Sequence, residues 1–286
     1  MSPPQQRNDR RQGFSPRLDR GESSRRGPRD NRSGGSGGEW VWGRHAVTAA
    51  LANPARAPLR RLLATADALK TVMADPRARK AIESAGLQPQ VLDAGEIGRA
   101  IGQPGASHQG LALAAAPIEP VGLDDLADQA EGVLVILDQV TDPQNVGAIL
   151  RSAAAFGARG VIVQDRHAPQ LAGALVKAAA GALETVPVAR VVNLARALER
   201  LSDLGWRAVG LSGAAEASLE QALDGGPTVL VLGSEGDGMR RLVSEHCDAL
   251  ARIPMPGGFE SLNVSTAAAI ALYESVRASA ARAAGE

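Results

Sequence analysis

Three features of the C-terminal half predict an α/β fold built around a mostly parallel sheet. Gly132-Val133-Leu134-Val135-Ile136-Leu137 is apolar throughout, as suits a strand covered on both faces. Strand-like runs recur at 160–163, 186–191, 207–211, 228–232 and 249–253. Helical stretches at 168–184, 193–204, 238–246 and 262–280 alternate with them, the rhythm of parallel strands joined by helical crossovers. Between the first two strands, a helix runs to Phe156 and is stopped by Gly157. The last helix is rich in Ala and carries Ile270, Leu272, Tyr273 and Val276, enough for a core or subunit-contact face.

With 286 residues, the chain has room for this domain (131–286) and a smaller companion. The companion, at 39–116, opens on the strand-like Trp40-Val41-Trp42-Gly43, followed by a helix from His45 to Leu51. A strand is expected at 59–65, helix at 67–85, a strand at Val91-Leu92, a short helix from Glu96 to Ile101 and a strand from Leu111 to Ala115. His108 lies in a loop with no reacting group nearby; an RNA contact and a local hydrogen bond are both open to it. Pro, Gly and acidic residues across 117–130 mark a linker.

Net charge is zero, but unevenly spread: residues 1–38 carry 9 Arg and 4 acidic residues, leaving 22 basic and 27 acidic residues for the rest. This Arg/Gly/Ser/Pro arm has almost nothing to bury and is expected to be disordered when free. Contact with a polyanion such as RNA and plain solubilisation are both consistent with it. The single cysteine, Cys247, excludes an intrachain disulfide and a cysteine-rich zinc site. It adjoins His246, but no third group completes a nucleophilic set, so its role is read as structural. No uncharged apolar run reaches the roughly 18 residues of a membrane span, and the charged start lacks a signal core. A cytoplasmic location follows as the default.

Three loops at strand ends carry polar groups where burial would be costly without partners. The first holds Asn145 near a helix start and Arg151 six residues on, beside Ile149, Leu150 and a run of alanines. Asn145 is either a helix cap or a ligand group. Arg151 is either a solvated charge or the partner of a phosphate or carboxylate. The second is Gly233-Ser234-Glu235-Gly236, whose glycines allow a ligand against the main chain. Neither a phosphate-binding Gly-Lys-Ser/Thr nor a dinucleotide fingerprint follows it. The third holds Ser261, a candidate N-cap, and Asn263. Loops at the carboxyl ends of parallel strands meet in one crevice, so all five groups are expected there.

In chain order, Asp142-Pro143-Gln144-Asn145-Val146-Gly147-Ala148-Ile149-Leu150-Arg151, Leu232-Gly233-Ser234-Glu235-Gly236-Asp237-Gly238-Met239, and Ile253-Pro254-Met255 through Ser261-Leu262-Asn263-Val264-Ser265 resemble the three motifs of the TrmH/SpoU group of SPOUT methyltransferases. The front stretch, with Trp42-Gly43-Arg44-His45-Ala46-Val47 and Ser107-His108-Gln109-Gly110, resembles the ribosomal-protein-L30e-like RNA-binding domain of the branch that methylates guanosine 2'-oxygens in 23S rRNA. The resemblance implies a trefoil knot in the C-terminal domain, S-adenosyl-L-methionine as cofactor, and a homodimer whose active sites are completed by the partner. It places Gly233, Ile253, Met255 and Leu262 around the cofactor. It makes Asn145, Arg151, Glu235, Ser261 and Asn263 the catalytic and substrate-positioning set, with Arg151 opposite the cofactor loops holding the phosphate beside the reacting ribose.

No metal is implied, because a sulfonium already activates its methyl group. The implied partner is structured RNA, 23S rRNA or a large-subunit precursor; neither DNA nor membrane is expected. The alternatives are a tRNA ribose methyltransferase and a non-catalytic RNA-binding or ribosome-assembly protein. The long Arg/Gly arm is the departure from the family pattern.

Overall fold

The computed structural model describes residues 39–166, 168–257 and 261–285; the arm expected at 1–38 lies outside them. β1 (Glu39–Trp42) leads into α1 (Arg44–Ala52), β2 (Arg61–Ala64), α2 (Ala66–Ala74) and α3 (Pro76–Ser84). β3 (Gln90–Val91), α4 (Ala94–Ala100) and β4 (Leu111–Ala115) complete a four-stranded sheet of order β1-β4-β2-β3. Alternation decides its two faces: Val41 and Leu62 pack with α1 to α3, while Trp42 and Leu63 pack with Ile97 and Ile101.

The helix expected over 67–85 is two helices. Asp75 ends the first, and its side chain accepts hydrogen bonds from the main chain of Arg77 and Ala78. Pro76 then occupies the first position of α3, where no N–H is required. His108 takes the local alternative. Its Nε2 lies 2.9 Å from the Ala94 carbonyl, and its Nδ1 accepts from the Gly110 N–H.

After α5 (Leu123–Ala127) come β5 (Val133–Leu137), α6 (Pro143–Ala155), β6 (Gly160–Gln164), α7 (Ala174–Ala179), β7 (Val188–Val191) and α8 (Leu194–Asp203). Then follow β8 (Arg207–Leu211), α9 (Leu219–Ala222), β9 (Thr228–Leu232), α10 (Arg241–Glu245), β10 (Ala249–Ala251) and α11 (Val264–Gly285). The six strands form one sheet of order β10-β8-β9-β5-β6-β7, with every adjacent pair parallel. Val133, Val135 and Leu137 of the central strand face the layer of α6, α7 and α11, whereas Leu134 and Ile136 face Leu194, Leu198 and Trp206. Both faces are covered, which is why β5 reads as an unbroken apolar run.

Segments 117–130 and 168–184 differ from expectation. The first is no bare connection: the Val121 N–H bonds the Val188 carbonyl, Leu126 is buried, and the Trp206 indole donates to the Ala127 carbonyl. In the second, α7 covers only Ala174–Ala179: Gly173 precedes it with a positive φ of 57°, and Ala180 and Gly181 end it with positive φ values of 49° and 94°. The turn lets the chain press against α1, where a Cβ on Gly181 would lie 2.8 Å from that of Ala49. Alanine runs favour helix locally; this close approach overrides them.

Both sheets belong to one compact unit, Gly35–Glu286, and share a continuous cluster of buried residues. A buried ion pair joins their layers. Arg56, fully buried, donates from Nη2 to Glu184 at 2.8 Å and from Nη1 to the Ala116 carbonyl at 2.9 Å. Asn53 adds a 2.8 Å bond to the same carboxylate. Nearby, burial pushes the Glu39 carboxyl above its ordinary range; the Arg56 charge opposes this and that of Glu184 adds to it. Removing one member of a buried pair strands the other, so Arg56→Ala is expected to cost about 3–5 kcal/mol in a denaturant titration. A loss below about 1 kcal/mol, the range of exposed pairs, would show that water solvates the site.

Among the described residues, no helix is long and apolar enough to cross a membrane.

Candidate active site

A cavity of about 380 Å³ opens at the carboxyl ends of β8, β9 and β10. Leu211, Met239, Ile253, Leu262 and Val264 give it apolar walls, and Ser212, Ser234, Glu235 and Ser261 give it polar ones. All four residues assigned to the cofactor (Gly233, Ile253, Met255 and Leu262) line it. Its size and mixed lining suit a small organic ligand.

One wall is a tight hairpin. Ser234 and Gly238 exchange backbone hydrogen bonds of 3.1 and 3.0 Å, folding residues 233–239 back on themselves. At Gly233 a Cβ would lie 2.0 Å from the Gly238 carbonyl carbon and 2.2 Å from the Met239 nitrogen. Only glycine lets the two arms of the hairpin close to this distance, leaving main chain rather than side chain facing a ligand.

Beside the cavity, three of the five predicted polar residues meet. Oε1 of Glu235 accepts from Asn145 Nδ2 at 3.1 Å, Asn263 Nδ2 at 2.6 Å and the Val264 N–H at 3.2 Å. Asn263 Nδ2 also reaches Asn145 Oδ1 at 3.0 Å. The triangle joins the first turn of α6, the hairpin and the start of α11. Neighbouring residues free these side chains for it. Asp142, not Asn145, caps α6, with its side chain accepting from the Gln144 N–H. Asn263, not Ser261, caps α11: its Oδ1 accepts from the N–H groups of Ser265 and Thr266 while its amide faces Glu235.

Arg151 does not join this group. It is exposed and lines a separate open groove of about 350 Å³ with Ala49, Ala180, Gly181 and Thr185. Six residues along a helix amount to about 9 Å of rise and a turn of about 240°, so Asn145 and Arg151 point to different sides of α6. Arg151 therefore lies outside the crevice in which all five polar groups are expected to meet.

Sequence reasoning missed the support beneath the hairpin. Asp138, fully buried at the end of β5, accepts from the Arg240 main-chain N–H and from Arg240 Nε, both at 2.8 Å. Arg240 Nη2 also donates to Gln164 Oε1 at 2.8 Å. The signal was present: a carboxylate directly after five buried apolar residues needs a partner. Cys247 remains structural. Burial pushes its thiol up to about 12, with Asp248 and Asp138 adding to the shift, so it is no ready thiolate.

Residues 132–273 match the model of the SpoU rRNA Methylase family. The 23S rRNA (guanosine-2'-O-)-methyltransferase RlmB of Xylella fastidiosa is 43% identical over 248 residues, which cover 84% of this chain and 96% of that protein. An uncharacterized tRNA/rRNA methyltransferase of Synechocystis sp. is 41% identical over 257 residues; the match covers 87% of this chain but 65% of the relative's length. Among solved structures, the SpoU methyltransferase AviRb from Streptomyces viridochromogenes, in complex with the cofactor AdoMet, has a TM-score of 0.68 at 25% identity and covers 85% of this chain and 90% of its own.

Proposed function

The chain belongs to the SpoU rRNA methylase family, and on that premise we propose that it transfers a methyl group from S-adenosyl-L-methionine to a ribose 2'-hydroxyl in structured RNA, a guanosine of 23S rRNA. The observation that carries this reading is the Asn145–Glu235–Asn263 triangle beside a cavity with a glycine-built wall. Bound S-adenosyl-L-methionine supplies a methyl carbon already activated by its sulfonium.

What the chain's own residues supply is alignment. A ribose hydroxyl is a weak nucleophile, and holding it in line with an electrophilic carbon supplies much of the rate. Gly233, Ile253, Met255 and Leu262 form the cofactor's walls. Glu235 locks the two asparagines, whose amides orient the ribose, and Ser261 lies on the cavity rim. Arg151 grips the RNA phosphate beside the ribose. A guanidinium is too basic to serve comfortably as the base, so Arg151 is given a positioning role, and the hydroxyl's proton is released to solvent as its oxygen takes the methyl group.

Three further parts of the reading rest on the resemblance: the knot, the L30e-like character of the front sheet, and a homodimer with composite sites. Exposed Ile270, Tyr273 and Val276, spaced three apart on α11, supply the dimer with an apolar face. A composite site gives Arg151 a route to the ribose that a single chain lacks. Sedimentation of the purified protein tests the dimer, and a monomer at working concentration removes that route.

The activity is tested with the full chain, tritiated S-adenosyl-L-methionine and total RNA from cells lacking the gene, followed by mapping of ribose methylation. Label on the 2'-oxygen of a 23S guanosine is the expected result. Label confined to tRNA would move the substrate, and no label on any RNA would remove the catalytic reading.

A further inference from the structure

We infer that Asp138 is a positioning residue for the cofactor wall, holding one end of the Gly233–Met239 hairpin through its own main chain and the other through its carboxylate and Arg240. The inference rests on the reading of that cavity as the S-adenosyl-L-methionine site. Asp138 does not line the cavity, yet it holds both places where the hairpin leaves the framework. Its main-chain N–H donates to the carbonyl of Leu232, the residue just before the hairpin, at 2.8 Å. Its carboxylate accepts from the N–H of Arg240, the residue just after it, at 2.8 Å. One residue therefore sets the distance between the two ends.

The guanidinium of Arg240 completes the clamp. Its Nε and Nη2 lie 2.8 and 2.7 Å from Asp138 Oδ1, and Nη2 reaches Gln164 Oε1. Gln164 is itself tied to the Val192 carbonyl at 3.0 Å, so the brace runs from β5 across the end of β6 to the end of β7. A fully buried carboxylate with a half-exposed arginine is poor value for stability alone, because desolvation offsets most of the attraction. What the pair secures is geometry: its donors and acceptor fix a loop whose tip at Gly236 has open space on its Cβ side.

Asp138→Asn tests this. The amide keeps one acceptor but turns an NH₂ group toward a donor of Arg240, releasing one side of the clamp. The KM and calorimetric Kd for S-adenosyl-L-methionine are expected to rise about tenfold, clearly more than kcat falls. Hydrogen exchange should speed up at Ser234 and Gly238 while Val231, inside β9, stays protected. Arg240→Lys, which keeps the charge and the main-chain donor but loses the fork that reaches Asp138 and Gln164, should weaken binding about fivefold, less than Asp138→Asn. Cofactor affinity unchanged in Asp138→Asn, or lost only in step with protection throughout the sheet, overturns the inference. If Asp138→Asn does not fold, Gln164→Leu carries the test: binding weakened about threefold supports the brace, and unchanged binding overturns it. Wild-type chain that fails to bind S-adenosyl-L-methionine overturns the cofactor reading and this inference with it; wild-type binding with an indifferent Asp138→Asn overturns the inference alone.

Discussion

Glu235→Ala is expected to cut methyl transfer by at least about 100-fold, the penalty that misplaced reacting groups commonly incur. A single oxygen of Glu235 holds the amides of Asn145 and Asn263 and the N–H that opens α11. Without it, three donors from two helices lose their common acceptor, and the asparagines keep their mutual bond and the Asn263 cap on α11. The cost in stability should stay near about 1–2 kcal/mol, because Asn263 is exposed and water replaces part of what is lost. Glu235→Gln retains a neutral acceptor and should fall between the two, about tenfold down, since hydrogen bonds to a charged group are roughly twice as strong. Tritiated-methyl incorporation reads all three proteins. Turnover of Glu235→Ala close to wild type would refute the organising role given to this carboxylate.

The second large effect is expected at Gly233. A methyl group there would stand 2.0 to 2.3 Å from the Gly238 carbonyl and the Met239 nitrogen, and main-chain atoms cannot swing aside as a side chain can. The hairpin must open, so Gly233→Ala should weaken S-adenosyl-L-methionine binding by about 100-fold or more, equivalent to about 2.7 kcal/mol. Gly236 provides the control in the same loop. Its φ is +89°, but a Cβ there would meet nothing within 4 Å. Gly236→Ala therefore carries only backbone strain, about 1–2 kcal/mol, and a smaller loss of affinity. Calorimetry on both variants separates the two causes; equal affinities would mean that the hairpin is not a rigid wall.

Much of the sheet was legible in the chain because burial on both faces leaves little ambiguity. Val133 to Leu137 could hardly be anything but an inner strand, and β6, β8 and β9 follow the same logic, whereas the edge strand β10, with Leu250 exposed, is legible only from its place in the α/β alternation. The misreadings share a physical origin in contacts distant along the chain. Residues 168–184 look helical until the turn at Ala180 and Gly181 is set against Ala49. The segment 117–130 looks like a tether until Val121 and Leu126 find β7 and its neighbours. Pro76 is the exception, a local signal for dividing 67–85 that was on the page.

The candidate site divides in the same way. Glu235 and Asn263 at strand ends, set beside Asn145, pointed to the cavity and the triangle, since polar groups there need partners and such loops converge in one crevice. Arg151 was placed by its closeness in sequence to Asn145, and helical twist separates what six residues of chain place side by side. Asp138 and Arg240 were invisible as a pair because 102 positions separate them.

The triangle itself has an entropic consequence. Its members lie far apart in the chain: 90 positions separate Asn145 from Glu235, and 118 separate Asn145 from Asn263. Closing loops of that length removes chain freedom, and the loss grows only slowly with length. Here it is borne during folding, by the sheet that brings the strand ends together. When substrate arrives, the three side chains have already lost their freedom, and none of that ordering has to be repeated at each turnover.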